Sequence, residues 1–427
     1  MTTTPKPRSI LRAVIRLAPV LMSAACAALL AAPAAAGATT TPPTSPTIPE
    51  PPTPDAAATT FQVGTRITWQ SGDSATEGAQ FTPDPNGWIW RDNQWWRVDS
   101  TGGSGGLGLQ QVTLLSVAPD AVVGDVRFFA NSQLQANTHV PSGFGVVTGN
   151  GDAVPGYWIS PARLATLQEG FDGTTRVWRG PRTFGGQTFD TVTTAEIAEG
   201  NYLSNTYDVA SGLLLFGGTM IAAPGVFVND ENGNLLGSAE GSVRYSHSIL
   251  VGIRQTPVPW ADAPLPSWAT AGTALTYQGQ TSVGASSPGL PAVGSQALTV
   301  TQHLDQTAGS VVFGRELIQA PNATGVELPP SATPRVFSSA LLDGLWIPSD
   351  RLAQLQPGQV LDQDPATGRT VTFGGSDGST ATIVSTGPSD RVEQHYDLRT
   401  GVLVASRFEV STAIGVQTTE LTLASQS

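Results

Sequence analysis

The side chains through which this chain could do chemistry are a serine among glycines, four histidines, scattered aspartates and a cluster of tryptophans. Gly102-Gly-Ser104-Gly-Gly106 satisfies the G-x-S-x-G pattern of hydrolase nucleophile elbows. That chemistry needs a strand, a strained turn and then a helix to lift the serine. Here glycine recurs at Gly108 and Leu109–Leu115 reads as a strand, so the segment reads as a flexible loop. His139, His247, His303 and His395 lie far apart, whereas zinc or triad chemistry needs converging histidines. Asp172-Gly-Thr-Thr and Asp377-Gly-Ser-Thr have the wrong order for the triplet with which bilobal aspartic proteases share one proton, and read as turns. Asp230-Glu-Asn232-Gly-Asn234 supplies alternating oxygens, but its glycine is misplaced for an EF-hand and no distal glutamate follows. The sequence therefore assigns no catalytic residue, no metal ligand and no cofactor.

The most distinctive local feature is Gly87-Trp-Ile-Trp-Arg-Asp-Asn-Gln-Trp-Trp-Arg-Val98. With Asp92-Asn93 as a two-residue turn, Arg91 faces Gln94, Trp90 faces Trp95, Ile89 faces Trp96 and Trp88 faces Arg97. Strand alternation then gathers Trp88, Trp90, Trp95 and Arg97 on one face. Three indoles and a guanidinium suit stacking on a sugar ring or an apolar ligand, and these four are the candidate binding residues. The competing expectation is that both faces are buried.

What positions such a hairpin is a repeated unit. Gly156-Tyr-Trp-Ile-Ser-Pro-Ala-Arg-Leu-Ala-Thr-Leu-Gln-Glu-Gly170 and Gly344-Leu-Trp-Ile-Pro-Ser-Asp-Arg-Leu-Ala-Gln-Leu-Gln-Pro-Gly358 agree at nine of fifteen positions, against roughly one expected by chance. The match continues from Tyr207-Asp-Val-Ala-Ser-Gly212 to Tyr396-Asp-Leu-Arg-Thr-Gly401, and upstream from Gly64-Thr-Arg-Ile-Thr-Trp69 to Gly272-Thr-Ala-Leu-Thr-Tyr277. The chain is thus a tandem duplication, with the tryptophan segment added to the first copy alone. Trp158, Arg163 and Tyr207, with their counterparts Trp346, Arg351 and Tyr396, are expected to hold the fold.

Within each copy, runs such as Leu298-Thr-Val-Thr-Gln-His303 alternate in polarity and read as strands. Asp208–Gly212 and Asp397–Gly401 fit a type I turn closed by a left-handed glycine. One short helix per copy is expected, capped by Ser160 with Pro161 in the first turn, carrying Leu164 and Leu167 and ending at Gly170. Leu352, Leu355 and Gly358 repeat the device.

The ends and composition set the compartment. Lys6, Arg8, Arg12 and Arg16, an apolar run from Leu17 to Ala32 and the small residues Ala34-Ala35-Ala36 predict a cleavable export signal over 1–36. Ser23 stands where a lipobox wants a large aliphatic residue, so Cys26 is not expected to carry lipid. Removing 1–36 takes away four basic residues and the only cysteine, moving the net charge from −12 to −16. So acidic a chain repels phosphate backbones, which argues against nucleic acid.

The sequence thus predicts a mainly β, secreted or periplasmic protein. A Pro/Thr-rich linker fills 37–60, copy A 61–256, a Pro-rich joint 257–266 and copy B 267–427. Each copy is an antiparallel, strongly curved sheet or open barrel with one short helix, and the mature chain has no transmembrane segment. The expected function is non-catalytic binding of a glycan or an apolar small molecule. The alternative is a secreted hydrolase using carboxylates at the domain interface.

Overall fold

A computed structural model describes residues 61–427, except 78–79, 86–88, 92–93, 100–103, 119–120, 131–132, 135–144, 155, 185, 199–200, 225–226, 233–234, 239–240, 285–292, 320–330 and 413–414. The export signal, the Pro/Thr linker, Trp88 and His139 lie outside these residues.

The first half forms β1 (Thr65–Glu77), β2 (Gln80–Pro83), β3 (Ile89–Arg91), β4 (Gln94–Asp99), β5 (Ser104–Val117), β6 (Val122–Ala130), β7 (Gln133–Leu134), β8 (Gly145–Gly149), β9 (Ala153–Val154) and β10 (Trp158–Ile159). Helix α1 (Pro161–Thr166) follows. Then come β11 (Gly170–Phe171), β12 (Thr175–Phe184), β13 (Gln187–Ala198), β14 (Asn201–Asp208), β15 (Leu214–Pro224), β16 (Phe227–Asn229), β17 (Leu235–Ser238) and β18 (Gly241–Gln255). The second half is plainer. It has β19 (Ala274–Val283), β20 (Val293–Ala308), β21 (Val311–Gln319), β22 (Ser331–Ser338), helix α2 (Ser349–Leu352), β23 (Val360–Asp364), β24 (Arg369–Ser376), β25 (Thr380–Thr386), β26 (Asp390–Asp397), β27 (Leu403–Thr412) and β28 (Gly415–Gln426).

The two halves form antiparallel sheets of the same strand order. The first runs β11-β12-β13-β14-β15-β18-β1-β5-β6-β7, with β8 also on β6; the second runs β23-β24-β25-β26-β27-β28-β19-β20-β21-β22, its β22 standing where the first has β8. Position for position these are one topology, which is the duplication expressed in hydrogen bonds. The first copy adds a small sheet, β2-β4-β3, between β1 and β5. Residues 78–103 fill that connection, whereas 284–292 suffice between β19 and β20.

The shared residues explain why the unit repeats. In each copy the tryptophan strand bridges the end of a hairpin: Trp158 pairs with Leu213, Trp346 with Val402. The amide of Ile159 donates to the Gly212 carbonyl at 3.0 Å, and that of Ile347 to Gly401 at 2.9 Å. Both glycines are left-handed, at φ +76° and +73°. A Cβ would come within 2.0 Å of the Ile159 oxygen and 2.1 Å of the Ile347 oxygen, so only glycine admits the approach. The Asp208 and Asp397 carboxylates hold the turns, accepting from the amides of Ser211 (2.9 Å) and Thr400 (2.7 Å). Tyr207 and Tyr396 are buried beside them, and the Tyr396 hydroxyl donates to the Gly344 carbonyl at 2.9 Å.

Both helices form but end sooner than the expected Gly170 and Gly358: α1 stops at Thr166, with Leu167 already extended and Gly170 in β11, and α2 stops at Leu352. Ser160 Oγ accepts from the Arg163 amide at 3.2 Å, with Pro161 in the first turn and Leu164 buried. In α2 the cap position is Pro348, which offers no side-chain bond, and the helix is shorter, with Leu352 as its buried residue. Arg351 lies at the surface near Asp262 (3.6 Å) and Asp350 (3.8 Å). Exposed pairs of that length contribute little.

By contacts the described chain falls into two compact units. One comprises 71–106 and 151–251, the other 61–70, 107–150 and 252–427. In the second unit the interior is filled by Trp260, Tyr277, Phe337, Trp346, Leu352 and Tyr396. Polar tips inside it are satisfied: Trp260 Nε1 donates to the Leu341 carbonyl at 3.1 Å and Tyr277 Oη to that of Leu403 at 3.0 Å. Trp268 meets Trp346 edge to face at 5.6 Å.

Gly212→Ala and Gly401→Ala should each destabilise the protein by about 2 kcal/mol or more, since strained φ and a carbonyl clash act together. Chemical denaturation of the two variants checks this; a change below about 0.5 kcal/mol in either would remove the repeated turn as a determinant of the fold.

Candidate functional site

Carboxylates are the first place to look for chemistry, and the second unit buries six of them with five arginines. Asp362 on β23 is held from two sides. Arg254 donates Nη1 to its Oδ1 and Nη2 to its Oδ2, both at 2.7 Å, and Arg66 Nη1 reaches Oδ2 at 3.0 Å. Asp364 accepts from Gln111 Nε2 at 2.6 Å and from the Ala366 amide at 3.0 Å, and lies 3.5 Å from Arg66 Nη1. Burial works against the Asp364 carboxylate, but Arg66 and Gln111 outweigh it and hold its pKa below the usual range. Arg127 grips Asp343 with two bonds, 2.6 and 2.8 Å, and donates Nε to Asp125 at 2.9 Å. Burial likewise opposes Asp343, yet Arg127 prevails and its pKa falls. Asp125 goes the other way: burial outweighs Arg127 and pushes its carboxyl up.

Two further pairs complete the set. Arg335 on β22 donates to Glu316 on β21, whose other oxygen accepts from Gln302 at 2.6 Å. Arg369 on β24 donates to Asp390 and to Ser385 Oγ, with its guanidinium 5.8 Å from the Phe129 ring. Asp125 Oδ1, Gln302 Oε1 and Arg335 Nε and Nη1 are buried without a partner among the described residues. All but Asp343, which lies between β22 and α2, sit on strands whose alternation faces them inward, and no motif announces them. The arrangement neutralises charge and keeps it from water; a hydrolytic pair would have to meet both substrate and water.

The serine, histidine and aspartate motifs resolve as structure. Ser104 opens β5, a strand that starts earlier than the expected Leu109, and no helix follows it. Asp172 and Asp377 each fold back on their own turns, accepting from the amides of Thr175 and Thr380 at 2.7 Å. Asp230 caps the β16–β17 hairpin by accepting from the Asn232 amide at 2.8 Å. His395 Nδ1 lies 3.1 Å from Thr382 Oγ1 on the neighbouring strand, and His303 is a β20 position opposite Arg315 and Ala274.

The tryptophan hairpin pairs in the expected register: Arg91 with Gln94, Trp90 with Trp95, Ile89 with Trp96. On its other side β4 pairs with β2, which sets Arg97 opposite Thr82. Arg97 is exposed. Within the first unit, β3 lies against β13 and β14.

The sheet face that these strands share in the first unit is aromatic. Cross-strand register places Trp178, Thr193, Thr206, Phe216 and Ile249 in one row, and Ile197, Tyr202, Met220 and Tyr245 in another. Ala195, Ile197 and Tyr202 are buried there, with Trp178 and Met220 packed against them. Phe216 stacks on Phe184 and on His247, each at 6.4 Å, and His247 on Tyr245 at 5.5 Å. Burial lowers the His247 pKa, favouring the neutral ring. Gly72 makes room for it: a Cβ there would lie 2.5 Å from the imidazole. The sequence reading missed this face, although Phe216, Tyr245 and His247 already alternated along their strands.

No family model matches the chain, and no curated protein matches it. Among solved structures it is similar to that described as MucB in complex with MucA(peri), at 13% identity and a TM-score of 0.17 over 82% of this chain and 87% of that one. It is also similar to the P. putida toluene transporter TodX, at 12% identity and a TM-score of 0.11 over 84% and 88%. Likeness this slight carries no argument about function. No helix among the described residues is long and apolar enough to cross a membrane.

Arg127→Leu strands two buried carboxylates and should cost about 3–5 kcal/mol in urea unfolding; a loss under about 1 kcal/mol would show the network to be dispensable. Asp343 and Asp364 have depressed folded pKa values, so their stabilisation is complete above the unfolded value of about 3.9 and is lost as pH falls through the folded values. Asp125 has the opposite sign. Its favourable contribution belongs below about 3.9 and is given up as pH rises through its raised folded value. Asp125→Asn should therefore become less harmful as pH rises above about 4, and a pH-independent penalty would contradict the assignment.

Proposed function

We propose that this chain is an exported, non-catalytic binding protein of two homologous β domains, and that its site is the aromatic sheet face of the first unit beside the β2-β4-β3 sheet. The ligand is an apolar small molecule. What carries the reading is a contrast between equivalent positions. Where the first sheet has Tyr202, Met220 and Tyr245 in one row, the second has Arg391, Glu409 and Thr418; where the first has Ser204, Gly218 and His247, the second has Glu393, Arg407 and Glu420. In the second copy these side chains pair along the surface, Arg391 with Glu393 at 3.1 Å and Arg407 with Glu409 at 2.6 Å and with Glu420 at 3.2 Å. One scaffold thus carries a solvated, charge-paired face and an aromatic one, and apolar surface kept in that way marks binding.

Two observations support a concave aromatic face. Strands three apart in a flat sheet lie about 14 Å from each other, yet the rings of Phe184 on β12 and Phe216 on β15 meet at 6.4 Å. The aromatic residues also remain half-buried rather than sealed: Trp178, Phe184, Phe216, Met220 and Tyr245 all keep some surface. Of the hairpin residues, Trp90, Trp95 and Arg97 lie on β3 and β4 of the adjoining sheet, whose β3 lies against β13 and β14. The engaged, buried carboxylates of the second unit favour this reading over the hydrolase.

The test is titration with the neutral apolar fluorophore N-phenyl-1-naphthylamine. Met220→Glu, which copies the charge of the second sheet, should weaken binding at least tenfold, and Trp90→Ala with Trp95→Ala should do the same. Glu409→Met should leave affinity unchanged. Equal affinity in all variants would sink the site, and retention on a polysaccharide matrix without fluorophore binding would make the ligand a glycan.

A further inference from the structure

We infer that the ligand of this site carries a planar aromatic ring system, which aligns with the rings of Phe184, Phe216, His247 and Tyr245. The inference rests on the binding site proposed above and adds the shape and class of the molecule that fills it. Alternation sets all four side chains on the aromatic face, Phe184 from β12, Phe216 from β15 and the other two from β18. Their planes are nearly parallel. Phe184 and Phe216 differ by 20°, Phe216 and His247 by 12°, and His247 and Tyr245 by 24°. The ring centroids follow one another at 6.4, 6.4 and 5.5 Å. Phe189, buried on β13, breaks the pattern and is tilted by 52° against Phe184.

Two glycines leave the rings room to lie this way. A Cβ at Gly72 would come within 2.5 Å of the His247 ring, and one at Gly218 within 3.1 Å of the Phe216 ring. Because burial favours the neutral imidazole, His247 joins the set as an uncharged ring. All four rings keep some surface, so the aligned set is not sealed inside the unit. A flexible aliphatic chain would gain only buried area from such a face. A flat ring that aligns with one of the four aligns with all of them, and ring-to-ring contact adds attraction beyond the area buried. The alignment is no property of the scaffold, since register in the second copy puts Ala405, Glu420 and Thr418 at the places of Phe216, His247 and Tyr245.

The experiment titrates the full chain calorimetrically with 2-naphthol, decahydro-2-naphthol and 1-decanol. These share ten carbons and one hydroxyl, but only the first is flat and aromatic. 2-Naphthol should bind at least about tenfold more tightly than either saturated alcohol. The Phe216→Leu, Tyr245→Leu double variant should lose that advantage while keeping its affinity for 1-decanol within about twofold. Phe216→Leu alone should remove at least about threefold of the advantage and Phe216→Tyr none of it, which keeps the test decisive if the double variant does not fold. Equal binding of the three alcohols, tighter binding of a saturated one, or an aromatic preference that survives the loss of both rings overturns this inference and leaves the apolar site standing. Failure of all three to bind overturns both.

Discussion

The constraint on which the second unit depends is that its buried charges come in sets, each carboxylate answered by a guanidinium. Taking an ion out of water costs several kcal/mol, and only good geometry with further hydrogen bonds recovers it. Asp362 meets that condition with two arginines, and Arg127 with two aspartates. The pairs also fix register. Arg66, Gln111 and Arg127 come from the early segments of the unit, and the groups they reach lie on β23 and between β22 and α2. Arg66 and Gln111 thus reach the edge strand β23, and Arg127 reaches the segment that follows the other edge strand, β22. An apolar cluster of Leu115, Val123, Val311, Val336 and Leu341 accompanies the ions and supplies the burial that directional bonds alone would not.

Against that background the two copies show what duplication retains and what it releases. Kept side chains are those that close the unit: the left-handed glycines, the aspartates of the same turns, the tryptophans that bridge them and the tyrosines beneath. Released positions lie on the outer sheet face, where aromatic residues in one copy stand where charged residues stand in the other. In the second copy the side chains at these positions pair at the surface, so core packing does not set their identity there. A face of that kind is where a new property can arise without endangering the fold.

Much of the architecture was legible because its causes are local. A glycine after an aspartate turn, a serine one turn before a leucine and the tryptophan-rich pairing of β3 with β4 each act over a few residues, and each forms as expected. The ionic network was not legible. Arg66 and Asp362 are 296 positions apart, Gln111 and Asp364 are 253 apart, and nothing in a single sequence pairs them. One clue was present: Arg66 stands inside the repeated Gly-Thr-x-x-Thr-aromatic string, where its counterpart is Ala274. A charge that replaces alanine within a core strand has a partner to find. The aromatic face was missed for a different reason, since the repeat drew attention to what the copies share and this face is where they differ.

The long reach of these pairs sets the order in which the molecule can be made. Chains emerge amino-terminus first, so Arg66, Gln111 and Arg127 exist long before Asp343, Asp362 and Asp364 do. Until the last strands arrive, the early segments present unneutralised guanidinium groups and unpaired strand edges, the features that make nascent β proteins slow to fold and prone to associate. Those early side chains of the second unit therefore meet their charge partners only once the carboxyl-terminal half is present.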